Sequence, residues 1–143
     1  MPLLLEIVTP ERLVYSDEVD AVNLPGSEGE LGVLPHHAPL VSMLGVGELR
    51  IRRGGTEESF AIVGGFLQVR PDKVVVMAET ADMASEIDLD KARAARQSAE
   101  RLLEETAPTD VADLAAARAA LQQALLRIRV GERRHREGPR HRG

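Results

Sequence analysis

The sequence predicts an all-β domain, an antiparallel sandwich or barrel, followed by a helical hairpin. Up to about Glu79 the apolar residues fall in short runs rich in Val, Ile and Leu, separated by Gly, Pro and Asp at close spacing. Many short strands with turn residues between them build an antiparallel sandwich or barrel, not a βαβ sheet. After about Ala84 the apolar residues recur at steps of three and four, the period of an α-helix. A length of 143 residues, 43% of them hydrophobic, suffices for one core or for a small domain with an appendage.

LLLEIVT (3–9) reads as the first strand. MPLLLEIVTPERL meets an acidic residue and a proline too early for a signal peptide and lacks the basic start. EVDAVNL, SFAIVGG, FLQVR and KVVVMAE are further strand segments; VDAVNL and FLQVR alternate apolar with polar, as half-buried strands do. RRGGTEES (52–59) is a polar hairpin turn. Gly64-Gly65 marks a bend, a bulge or a close backbone approach.

In the second half Asp88 is the expected N-cap, with Asp90 in the first turn complementing the helix dipole. Ala92, Ala95, Ala99, Leu102 and Thr106 form one helical stripe, and APTD (107–110) breaks it. A second stripe follows at Leu114, Ala117, Leu121, Ala124, Leu125 and Ile128. So short a connection makes the helices an antiparallel hairpin, and alanines let them approach near the lower end of the usual spacing of roughly 8–10 Å. Alanine buries little area, so the seam is thin and the hairpin needs another surface to dock on. A movable element is the consequence. The expected divisions are 1–86 for the sandwich, 87–134 for the hairpin and 135–143 for a flexible basic tail. The segment GERRHREGPRHRG (131–143) has no apolar stripe and is expected to fray.

Composition removes several functions. No run approaches the roughly 18 apolar residues of a membrane span. There are no cysteines, which excludes disulfides, thiolate zinc sites and cysteine nucleophiles. Tyr15, Phe60 and Phe66 are the only aromatics, so base-stacking platforms are missing and nucleic acid is not an expected partner. The net charge of −5 is uneven: residues 1–86 carry 6 Lys/Arg against 14 Asp/Glu, and residues 87–143 carry 12 against 9. Such asymmetry fits two modules with different partners.

GSEGELGVLPHHAPL (26–40) is the candidate site, as a metal or catalytic centre or as a loop shaped for another protein. Adjacent His36 and His37 on an extended chain point in opposite directions and cannot readily share one ion. His135 and His141, the other histidines, fall in the tail, so no metal is expected. Glu28 and Glu30 lie in an exposed, glycine-flanked turn where nothing perturbs them into acid–base work. No serine sits in a nucleophile elbow, and GSEGELG lacks the Lys-Ser/Thr of a phosphate loop. The chain is not expected to be an enzyme. An independent β-sandwich binding module, with a basic tail gripping an anionic partner, is one reading of these residues.

LPGSEGELGVLPHHAPLVSML resembles the signature of the epsilon subunit of bacterial and chloroplast F-type ATP synthases. The pattern G-x-x-G-x-L-G-[IV]-x-P-x-H-[AT]-P-L matches at Gly26, Gly29, Leu31, Gly32, Val33, Pro35, His37, Ala38, Pro39 and Leu40. GGFLQVRPDKVVVMAETA and IDLDKARAARQSAERL resemble the family's last sandwich strands and the start of its hairpin. The resemblance covers about residues 3–130. It implies a sandwich of about ten strands and a two-helix C-terminal domain. It further implies a non-catalytic central-stalk subunit that binds the gamma subunit and the ring of c subunits. Such a subunit is peripheral on the cytoplasmic face of the bacterial plasma membrane, with no direct membrane insertion. Glu30 and His37 are the implied c-ring contacts, in a loop shaped by Gly26, Gly29, Gly32, Pro35 and Pro39. The hairpin is implied to have a folded arrangement and an extended one that reaches the α/β hexamer and hinders ATP hydrolysis. Arg118, Arg127, Arg129, Arg133 and Arg134 are the candidates for an acidic segment of the β subunit. Some members bind ATP in the folded hairpin through I/L-D-x-x-R-A plus arginines. This chain has Ile87, Asp88, Lys91, Ala92 and Arg127, with Ser98 and Gln123 in place of two further arginines. Lysine keeps charge without the bidentate fork, and Arg93 points about 100° away, so weak or absent ATP binding is expected and no other cofactor.

Overall fold

The computed structural model describes residues 3–137, with side chains described through Arg134. Eight strands come first: β1 (Leu3–Val8), β2 (Leu13–Val19), β3 (Ala21–Gly26), β4 (Gly29–Val33), β5 (Leu40–Met43), β6 (Val46–Arg53), β7 (Thr56–Val69) and β8 (Lys73–Met83). A single 3₁₀ turn, Ala84–Glu86, then leads to α1 (Leu89–Glu105) and α2 (Val111–Glu137).

The sequence's two runs SFAIVGG and FLQVR form one strand, β7, bent at Gly64 and Gly65, whose φ values are +60° and +109°. The bend lets β7 serve two layers. Its first half pairs with β6 through Thr56–Val63, and its second half pairs with β5 through Phe66–Val69. β8 follows it across, pairing with both halves of β7 and, near its start, with β1. One layer is therefore β2, β1, the first half of β8, the second half of β7, and β5. The other is β4, β3, β6, the first half of β7 and the second half of β8. Ten segments thus come from eight continuous strands.

One ladder departs from the antiparallel expectation: β1 runs parallel to β8, from Leu4 opposite Lys73 to Val8 opposite Met77. β1 thus lies between β2, antiparallel to it, and β8, parallel to it. The interior is aliphatic. Leu3, Leu5, Ile7, Leu24, Leu49, Ile62 and Leu67 are fully buried, and Phe60, with Tyr15 edge-on at a centroid distance of 5.7 Å, is the one large ring in the core.

Asp88 caps α1, accepting from the Lys91 amide at 3.2 Å. The only α1 side chains fully buried are Ala92 and Ala99, so the seam is as thin as the sequence predicts. Three of the expected stripe positions, Ala95, Leu102 and Leu125, are exposed, while Leu103 is half-buried and Leu126 fully buried. The helix also outlasts its expected end. α2 runs through 131–134 to Glu137, so residues expected to fray carry a docked helical turn. The rest of the expected tail, 138–143, lies outside the described residues.

Candidate functional site

β3 and β4 are joined by a turn that only glycine permits. A Cβ on Gly26 would lie 2.6 Å from the Gly29 carbonyl oxygen, and Gly29 has φ +132°. Glu30 follows on β4, exposed, and both its carboxylate oxygens accept from Arg50 Nη2 of β6, at 3.1 and 3.3 Å. Arg50 gave no signal in the sequence, because its partner lies two strands away. At the other end of β4 the 34–39 loop begins. His36 is not extended but left-handed (φ +66°), and its amide donates to Pro71 O at 2.7 Å. His37 is half-buried, its Nδ1 donating to Ala38 O at 2.7 Å, between Pro35 and Pro39. Gly32 makes room for Asn23, whose Oδ1 would stand 3.2 Å from a Cβ there. Glu30 and His37 are therefore not clustered: Glu30 to Val33 alone spans about 10 Å of strand. They bracket a surface, and no group of three or more metal-ligating side chains forms among the described residues.

The second candidate region is where α2 meets the sandwich. Leu126 and Val130 pack with Ile87 on Ala61 and Ala84. With Arg133 they form a second stripe, at i, i+4 and i+7, next to the stripe that faces α1. Around this small apolar contact stand ion pairs. Arg127 Nε donates to Asp82 Oδ2 at 2.8 Å, and Arg133 donates to the Glu48 carboxylate and, at 3.2 Å, to Ser59 Oγ. Arg93 of α1 bonds Glu132 of α2 at 2.9 Å, closing the hairpin on itself. Of the five candidate arginines, Arg127 and Arg133 thus hold the hairpin to the sandwich. Arg134 lies beside the Arg53–Glu58 turn, while Arg118 and Arg129 are exposed.

Between hairpin and sandwich lies a cavity of about 310 Å³. Ile87, Asp88, Lys91, Ala92 and Arg127, the positions at which the family resemblance implies an ATP motif, all line it. So do Asp82 and Glu86. Three carboxylates therefore face two cations, one of which is already bound to Asp82. A polyanion meets net negative charge there. Ser98, at one of the missing arginine positions, is exposed and far shorter than an arginine.

Fold and site together define a two-domain protein, a β-sandwich with a glycine- and proline-shaped surface loop and a helical hairpin clamped to it by ion pairs. Two family models match it in tandem: the "ATP synthase, Delta/Epsilon chain" β-sandwich domain over residues 2–84 and the long α-helix domain over residues 85–132. The chain belongs to this delta/epsilon family of ATP synthase chains. It is 53% identical, over 129 residues, to a protein of Syntrophobacter fumaroxidans named ATP synthase epsilon chain, covering 90% of this chain and 95% of that one. It is 46% identical over 128 residues to the protein of the same name from Desulforamulus reducens, covering 90% and 96%. Among solved structures it resembles a chain in the Euglena gracilis mitochondrial ATP synthase assembly of OSCP, F1 and c-ring. That match has a TM-score of 0.72 and 26% identity, covering 85% of this chain and 76% of that one.

Proposed function

We propose that the chain is a non-catalytic rotor subunit of an F-type ATP synthase. It couples the gamma subunit to the c ring and restrains ATP hydrolysis through movement of its hairpin. The observation that carries this is the chemistry of the hairpin's attachment: a small apolar contact ringed by the Arg127–Asp82 and Arg133–Glu48 pairs. Arginines held by carboxylates can exchange them for carboxylates of a partner, here an acidic segment of the β subunit, with Arg118, Arg129 and Arg134 beside them. Contact with the c ring falls to Glu30 and His37. The gamma subunit has a matching surface in the row Met43, Phe66 and Met77, in register across β5, β7 and β8 and exposed, with Val41 on the same face. Exposed apolar rows of this kind mark protein interfaces. The chain would then lie on the cytoplasmic face of the plasma membrane through the complex; no helix among its described residues is long and apolar enough to cross a membrane.

Truncation before residue 88 tests the regulatory part. ATP hydrolysis by the reassembled complex is expected to rise with assembly intact, and unchanged hydrolysis refutes the inhibitory role. The hairpin cavity, with its three carboxylates, is not a triphosphate site in this reading. Isothermal titration of the isolated chain with ATP is expected to show no micromolar binding.

A further inference from the structure

We infer that Gly131 sets which arrangement the hairpin adopts: its missing side chain is the notch that receives the interdomain linker when α2 lies on the sandwich. This rests on the reading that the hairpin moves. Gly131 is the only glycine in either helix through Glu137, and it is buried. A glycine weakens a helix interior relative to alanine, so its presence deep in α2 calls for a local cause. The cause is close approach. A Cβ at 131 would stand 2.9 Å from Leu89 Cδ2, 3.1 Å from Ile87 Cγ2 and 3.4 Å from Ile87 Cβ.

These neighbours differ in how far they can yield. Leu89 Cδ2 is the end of a flexible side chain and swings away. Ile87 Cγ2 hangs on a branched carbon bonded to the backbone, and Ile87 is packed into the cluster of Ala61, Ala84, Leu126 and Val130. A side chain at 131 therefore presses the linker off the surface that α2 docks on. In the extended arrangement, where α2 parts from the linker and the start of α1, that overlap is absent. The gain in helix propensity from alanine or leucine is common to both arrangements and cancels. Only the docked state carries the overlap, so the substitution shifts the population toward the released one.

The chain has no cysteines, so labels can be placed cleanly on the full-length protein. Spin labels at Glu11→Cys and Gln122→Cys, both exposed positions, report the sandwich-to-α2 distance by pulsed EPR. With Gly131→Ala the ratio of docked to released protein is expected to fall several-fold. With Gly131→Leu it is expected to fall about tenfold or more, the size of an overpacked tight contact, with helical circular dichroism retained. An unchanged docked population in a folded Gly131→Leu chain overturns the inference. If that variant does not fold, an unchanged population with Gly131→Ala does so. A shift in population with no change in hydrolysis by the reassembled complex upholds the notch and removes the proposed regulation instead.

Discussion

Arg133 and Arg127 make the same kind of bond from very different surroundings. Glu48, the partner of Arg133, has a side chain only 14% exposed, whereas Asp82, the partner of Arg127, is 42% exposed. A carboxylate left alone in the first position is poorly hydrated; one left alone in the second recovers its water. Arg133→Ala is therefore expected to weaken hairpin docking by about 1–3 kcal/mol, and Arg127→Ala by less than about 1 kcal/mol, read from the label distance described above. Equal effects would show that burial does not govern the clamp. Tyr15 supplies a second residue-scale test. Burial first, and then the charges of Glu58 and Asp17, raise its phenol above 10, while Arg53 opposes them. With the folded value raised, its contribution to stability is complete below pH 10. Above that the unfolded chain loses its proton first, so stability falls until the folded phenol also ionises. As the only tyrosine, it gives an unobstructed ultraviolet titration, whose midpoint is expected above 10 in the folded chain. At this scale the sequence revealed glycines, prolines and the Asp88 cap, whose roles are local. It did not reveal Arg50, Glu48 or Asp82 as partners, because each meets its counterpart across strands or domains.

Among the elements, β7 depends on a contact no other residue type tolerates. A Cβ on Gly65 would fall 1.9 Å from the Met77 carbonyl oxygen on β8, and φ is +109°. Gly65→Ala must move the backbone of two strands where they cross between layers. We expect a loss of roughly 3 kcal/mol or more in urea unfolding, within the severe class that strained backbone positions produce. Gly54→Ala, also at positive φ but with open space around its Cβ, is expected to cost far less. The Gly-Gly signal in the sequence correctly marked a bend; that the strand continues through it is a matter of pairing with β8 and cannot be read locally. In α2 the stripe facing α1 was legible and the stripe facing the sandwich was not. Alanines surround both, so apolar periodicity permits a rotation of one residue, which exchanges Leu125 for Leu126.

The whole molecule joins a core-stabilised sandwich to a charge-stabilised hairpin, and these respond differently to salt. The Debye length shrinks from about 10 Å at 0.1 M to about 3 Å at 1 M. Over that range the docked population is expected to fall several-fold, while the unfolding midpoint of the sandwich hardly moves. Salt-independent label distances would place the attachment in the Leu126–Val130 contact instead.

The parallel pairing of β1 with β8 also orders events in time. The first strand made by the ribosome finds its second neighbour only among the last residues of the sandwich, Lys73 to Met77. A nascent chain therefore lacks the second ladder of β1 until some seventy residues later, and a two-stranded hairpin alone is marginal in water. β8 is the closing piece, and the surface that receives α2, built from Ala61, Asp82 and Ala84, is completed only as β8 ends. The helices, rich in local contacts, emerge immediately afterwards onto a platform just finished.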